Sequence, residues 1–600
     1  MKLCDFYPGS EDFADFIVRY SARSLWSAPD QKNHRCFNYV SRDFAILHLP
    51  LRLLPVHLPE CRDFAILHLP LEQALPITLS RYSYESIPKL YGLQDTTALE
   101  ISGISPVFEQ PALNAAGRGV LIGFIDTGID YTNPLFRNPD GTTRIYNIWD
   151  QSVSGESAPE EVPGFQPLYG TVYSREQINQ ALASEAPYEI VPTRDTDGHG
   201  TFMAGVAAGN RISLPEPFSG AAPEASLAIV KLKPAKQYLR DFFLISPEVP
   251  AYQENDIMAA VSYLLGLANQ YQMPLVLYLG AGTSQGAHDG TSPLSLQLQD
   301  LIGTQGLFLS AAAGNEAGYH HHYFGGLSEN QDFDDAEIRV GSREAGFCLE
   351  LWAKNPELYT VGFVSPSGEI VERIPLVLGR DTVIPFRLDA SRITLSYLPN
   401  ETNSGSQLIF MRFETPAPGI WHVRVYPVLS IHGQFHMWLP MHGFLSEETL
   451  FLRPDPDTTI TDPGNSLMPT TVSTFDHLNN SIYIHSSRGY NRDGQIKPDL
   501  AAPGVRVQGP AVQQENKAGT TLPVLTWRTG SSVAAAITAG AAAVLLSWGI
   551  ASGNEKSLTS TSLKAILIRG ADRNPGFSWP NRQWGFGTLN LYQSFLQMRE

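Results

Sequence analysis

The 600-residue chain reads as an α/β protein. It combines a parallel sheet covered by helices on both faces with an N-terminal α+β segment and an inserted all-β module of sandwich or jelly-roll type. Three observations predict this. From Gly119 onward, apolar strands alternate with helical stretches: VLIGFID, GHGTFMAGVAAG, ASLAIVKLK, ENDIMAAVSYLLGLANQ, PLVLYLG and GLFLSAAAGNE. A strand that is apolar throughout is buried on both faces, as the strands of parallel sheets are. Between about Ala336 and Pro469 the pattern becomes strands such as FCLELWA, YTVGFVSP and GIWHVRVYPV, separated by Gly, Pro and Asn turns, which is the pattern of an all-β module. The α/β character then returns with KPDLAAPG, an Ala-rich helix after Ser532, and SLKAILIRGA. The sheet domain is therefore discontinuous, 95–335 and 470–600, with the module at 336–469.

Residues 1–94 differ from the rest. The decapeptide RDFAILHLPL occurs twice, at Arg42–Leu51 and Arg62–Leu71, a tandem duplication rather than a solenoid, which needs about three repeats or more. Each copy reads as one short apolar strand, so a small domain built with one has a spare. The N-terminus carries acidic residues where a signal peptide has a basic start, and no later stretch is expected to reach membrane-spanning length.

Composition narrows the function classes. With 43% hydrophobic residues the chain buries a sizeable core. A net charge of −18, from 42 Lys and Arg against 60 Asp and Glu, disfavours nucleic acid as the partner, because a phosphate-binding surface needs a basic excess. Four cysteines, three of them before residue 62, are too few for a disulfide scaffold.

Four segments carry chemistry. Ile122-Gly-Phe-Ile-Asp126-Thr-Gly ends a buried strand on a carboxylate, where open α/β sheets keep their sites. Asp197-Gly-His199-Gly-Thr201 opens a small-residue helix with a histidine. Thr529-Gly-Ser531-Ser532 places serines at the start of an Ala-rich helix, where unpaired N–H groups favour developing negative charge. Ala311-Ala-Ala-Gly-Asn315 ends another strand with an amide able to donate to an oxyanion. Singly, each has an ordinary structural reading: a helix-start histidine, an N-cap serine, a turn asparagine. Together, in the order Asp, His, Ser, they match a nucleophile, a base and an orienting acid.

These DTG, HGT, AAGN and GSSVAAA segments resemble the four active-site blocks of the subtilase family. Ser486-Ser-Arg-Gly-Tyr490 and Lys497-Pro-Asp-Leu-Ala-Ala-Pro-Gly504 resemble the segments preceding the family's nucleophile. Ser531 stands where the family usually has Thr, and Ala536 where Pro is common. The resemblance implies a subtilisin-like fold and a serine endopeptidase in which Ser532 attacks, His199 moves the proton, Asp126 orients His199 and Asn315 stabilises the oxyanion. It also implies pocket walls at Leu279, Gly280, Ala281 and Ala312, Ala313, Gly314, with room for a medium to large side chain. Residues 1–94 take the place of an inhibitory prosegment, with self-cleavage expected between Gln94 and Asp95 and Tyr91 in a second apolar pocket. IPKLYGLQDTTALE, Trp149-Asp-Gln and the β insert resemble the clostridial Csp germination protease branch, which implies activation of a protein precursor. The alternative is a catalytically weak regulatory pseudoprotease or binding protein on the same fold. The partners implied are a protein or peptide substrate and the chain's own prosegment, without nucleic acid or membrane.

No cofactor and no metal are expected. His320-His-His322 has no carboxylate or cysteine at a standard ligand spacing. Asp130, Asp140 and Asp195 are loop carboxylates without a complete calcium loop.

Overall fold

Alternate residues of Leu121–Asp126 enter different cores: Ile122 and Phe124 join one hydrophobic cluster, Leu121 and Ile125 the other. This strand is thus covered on both faces, which explains its apolar sequence. In the computed structural model, which describes residues 10–20, 36–39, 63–91, 101–110, 112–113, 115–153, 161–213, 217–328, 331–512 and 523–598, it lies inside a nine-stranded sheet. The strands are β1 Leu121–Asp126, β2 Ile145–Asp150, β3 Thr171–Ser174, β4 Ser226–Lys231, β5 Leu275–Leu279, β6 Leu307–Ala312, β7 Thr470–Asp476, β8 Ser481–Ile482 and β9 Leu500–Pro503. Their order is β8-β7-β6-β5-β1-β4-β2-β3, with β9 paired to β7. The pairs from β2 through β7, and β7 with β9, are parallel, while β3 and β8 are antiparallel additions.

Helices α1 (His199–Ala208), α2 (Glu254–Tyr271) and α3 (Ser531–Leu546) cover the sheet, α1 and α3 on one face and α2 on the other. Every residue of α3 is buried. Its small residues permit this: the position a Cβ would take on Gly540 lies 2.4 Å from Ala221 Cβ. The helical run Ser531–Ala551 is long and apolar enough to cross a membrane, contrary to the expectation that no stretch reaches that length. Its most apolar window is 89% buried inside the protein, so its hydropathy reflects a core helix with water on neither side.

The inserted module is two antiparallel sheets of six and five strands packed around their own core. Its strands run from His322–Gly326 to Leu450–Phe451, beginning and ending earlier than 336–469, because the histidine-rich stretch itself forms an edge strand and residues after 451 already return to the sheet domain.

At the N-terminus, Asp63–Pro70 is the middle strand between Phe13–Tyr20 and Cys36–Tyr39. The second copy of the repeated decapeptide supplies this strand, and the first copy lies outside the described residues. This small sheet packs on both larger units, since Ala14, Phe16 and Leu69 share a cluster with Tyr238 and Phe242 and with Trp352 and Phe410 of the module. Asp15 anchors it: its buried carboxylate meets His68 across the sheet, Lys236 Nζ at 3.0 Å and Gln253 Nε2 at 3.1 Å. Burial works to raise the Asp15 carboxyl, but Lys236 and His68 overcome it and hold it far below the usual range.

Candidate active site

Asp126 ends β1, His199 opens α1 and Ser532 is the second residue of α3, and all three side chains are buried at the carboxyl edge of the sheet. His199 Nδ1 lies 2.8 and 2.9 Å from the two Asp126 carboxylate oxygens. A carboxylate only accepts, so Nδ1 carries the proton and Nε2 is left as the basic nitrogen. Asp126 also accepts the Thr127 N–H at 2.7 Å.

The adjacent serines are told apart by their partners. Ser531 Oγ accepts the Gly314 N–H at 3.1 Å and Ser531 N–H donates to Asn315 Oδ1 at 3.0 Å, so Ser531 clasps the loop after β6. Ser532 Oγ instead donates to the Gly280 carbonyl at 2.9 Å, at the end of β5. Because Asn315 spends its oxygen on Ser531, its Nδ2 is the end available to an oxyanion. The first turn of α3 adds backbone N–H groups without intrahelical acceptors. Gly314 makes the loop possible: its φ of +107° suits glycine, and a Cβ there would meet Ser487 Oγ at 2.6 Å.

The six residues expected to form pocket walls lie at the ends of β5 and β6, Leu279 and Ala312 closing the strands and Gly280, Ala281, Ala313 and Gly314 following them. Thr461, which the motifs did not single out, and Ser487, from the segment Ser486–Tyr490, hold the loop after β6. Thr461 N–H donates to Ala313 O at 2.9 Å, and its side chain lies 2.8 Å from where a Gly314 Cβ would stand, while Ser487 N–H donates to Gly314 O at 2.9 Å.

Asp195, read from the sequence only as a loop carboxylate, has a structural part beside the site. Its buried carboxylate accepts four hydrogen bonds: Thr127 Oγ1 at 2.9 Å, Gly198 N–H at 2.8 Å, Thr201 N–H at 2.8 Å and Thr201 Oγ1 at 2.7 Å. It ties the Asp126 strand to the His199 helix. Asp130 and Asp140 likewise accept from the threonines of their own turns, Thr132 and Thr142. His321 pairs with Glu316 at 2.9 Å, and His322 contacts His436 Nδ1 at 2.9 Å and Asp455 O at 3.0 Å. Among the described residues no group of three or more His, Cys, Asp or Glu is arranged to hold a metal.

Upstream of the site, Leu90–Tyr91 pairs antiparallel with Tyr252–Gln253. Leu90 is buried and its N–H donates to Gln285 Oε1 at 3.1 Å, while Lys89 N–H donates to the buried Glu254 at 3.3 Å. Gln94 and Asp95 lie outside the described residues.

A serine at a helix N-terminus, a histidine of fixed tautomer and a buried carboxylate on a parallel sheet are the equipment of nucleophilic serine hydrolases. The chain belongs to the subtilase family, whose model matches residues 117–336 and 452–587, on either side of the inserted sandwich. The structure is similar to that of the CspB protease of Clostridium perfringens, with TM-score 0.71 and 29% identity over 82% of this chain and 95% of that one. It is also similar to two Arabidopsis thaliana proteins. Subtilisin-like protease SBT2.2 is 36% identical over 128 residues and SBT1.9 is 31% identical over 154, matches that span 15% and 19% of those relatives' own length.

Proposed function

We propose that this protein is a serine endopeptidase that cleaves peptide bonds through an acyl-enzyme. The observation that carries this is the contact of His199 Nδ1–H with both oxygens of Asp126, His199 standing on a helix packed against α3, whose first turn holds Ser532. In the reaction, the Ser532 hydroxyl turns from Gly280 O to His199 Nε2, gives up its proton there and attacks the substrate carbonyl. His199 then returns the proton to the leaving amine. Asn315 Nδ2 and a backbone N–H of α3 receive the oxyanion.

Residues 1–94 act in this reading as a prosegment whose tail enters the groove as an added strand and is cut between Gln94 and Asp95. The antiparallel pairing of Leu90–Tyr91 with Tyr252–Gln253 supports it, since extended peptides bind by adding a strand to an exposed edge. The natural substrate is a protein precursor, as the resemblance to the Csp germination proteases implies. The inserted sandwich packs against the prosegment and leaves the triad to the sheet domain.

Intact mass of the wild-type chain beside Ser532→Ala tests the proposal. Splitting near Gln94 in the wild type alone supports it. Two full-length proteins that both fail to react with a fluorophosphonate overturn it in favour of the regulatory, non-catalytic reading.

A further inference from the structure

On the opposite rim of the sheet, where β1, β2 and β4 begin, a cavity of about 1130 Å³ opens between the loops. Five arginines line it, Arg118, Arg137, Arg144, Arg175 and Arg211, and among the described residues one lining carboxylate, Glu224, faces them, while Asp130 acts on Arg137 and Asp140 on Arg175 from beside the lining. This is a local cationic excess in a chain whose net charge is −18.

The arginines play different parts. Arg144 is 6% exposed and gives its terminal nitrogens to the carbonyls of Ala225, Leu135 and Ala208, so it is a fixed charge in the wall. Its Nε is buried without a partner, as is Nε of Arg137. Burial pushes the Arg144 guanidinium down to about 10, yet it stays charged at neutral pH. Arg175 sits 5.0 Å over the Tyr146 ring and Arg211 5.0 Å over the Phe108 ring. Stacking holds a guanidinium by its face and leaves the N–H donors on its edge available. Arg118 pairs with Glu224 at 3.0 Å in an exposed bridge.

We propose that this cavity binds a small anion with two or more phosphate or carboxylate groups, gripped by Arg137, Arg175 and Arg211 within the positive field of Arg144. The cavity has room for a small ligand, and a group of like charges lining one cavity is relieved by an anion. The strand Leu121–Asp126 separates this rim from the triad by about 17–20 Å, so the ligand is distinct from the peptide substrate. The assignment is independent of whether the triad turns over.

Titration calorimetry on the full chain carrying Ser532→Ala, with inorganic pyrophosphate and with citrate at constant ionic strength, tests this. Binding of either anion, weakened about tenfold or more in Arg175→Ala/Arg211→Ala and by added salt, is the expected result; the preferred anion separates phosphate from carboxylate recognition. Both substituted side chains are at least partly exposed, and circular dichroism verifies that the double variant is folded. The proposal is overturned if neither anion binds, or if the double variant binds as tightly as its parent.

Discussion

Replacing Asp195 with asparagine removes the brace between the strand that carries Asp126 and the helix that carries His199. The wild-type carboxylate accepts from Thr127 Oγ1, Gly198 N–H, Thr201 N–H and Thr201 Oγ1. The amide has the same shape but one accepting oxygen. If that oxygen keeps Thr127 and Gly198, the new NH2 group faces the Thr201 N–H, and a buried donor is left unpaired. Thr201 Oγ1 also accepts from the Asp130 N–H, so the disturbance spreads to the next turn. A hydrogen bond to a charged group is worth about 1.5–3 kcal/mol and a stranded buried donor costs about 1–3 kcal/mol; with partial relaxation the loss is about 2–4 kcal/mol. Because Thr201 follows His199 by two residues, the imidazole shifts against Asp126, and a misplacement of about 1 Å costs about a hundredfold in rate. Urea unfolding followed by circular dichroism gives the stability, and fluorophosphonate labelling from pH 6 to 9 gives the rate. Asp195 touches no reacting atom, so the rate should fall about 10- to 100-fold rather than vanish. A variant within about 0.5 kcal/mol of wild type and labelled at an unchanged rate would refute the reasoning.

Asn315→Leu should lower kcat by about 10²–10³ with little change in KM, measured on a chromogenic peptide; an unchanged kcat removes Asn315 from the oxyanion site. Burial pushes the imidazoles of His288 and His322 down to about 4, against an ordinary value near 6.5. The native state therefore holds them neutral, and their contribution, up to about 3 kcal/mol each, is complete above pH ~6.5 and lost as pH falls toward 4. Tm should drop across that window, and a flat profile contradicts the burial. Asp462 shows the opposite sign: burial pushes its carboxyl up to about 7 although the Ser292 and Ser295 hydroxyls work against this. Its stabilisation is present below pH ~4 and lost as pH rises toward 7, so Asp462→Asn should raise Tm at pH 8, by about 2–4 kcal/mol of stability at most, and do little at pH 4. Equal effects at both pH values would show that charge is not the cause.

The sheet domain was legible in the sequence because burial on both faces writes continuous apolar strands, and active-site turns need glycines beside particular polar residues. Asp126, His199, Asn315 and Ser532 sit in such turns, and the structure brings them to one edge of the sheet. Thr461 escaped notice, and Asp195 was read only as a loop carboxylate, because an aspartate or threonine in a loop looks the same whether it faces water or braces a helix. The bounds of the sandwich were blurred because its first strand, HYFGG, follows two further histidines and ends in two glycines, where a strand is usually branched and apolar.

By itself the sequence determined the α/β class, the interruption by a β module, the acidic charge and the four segments that carry chemistry, since these follow from local periodicity and composition. Only the tertiary structure decided that Asp63–Pro70 is the middle strand of its small sheet and that the apolar run Ser531–Ala551 is a core helix. It also showed that Ser531 is tied to Gly314, 217 residues away, while Ser532 faces Gly280. Arginines scattered from Arg118 to Arg211 line one cavity only after β1, β2 and β4 are laid side by side. Each of these depends on partners distant along the chain, and a hydrogen bond or an electrostatic field acts through space, where local sequence patterns carry no record of it.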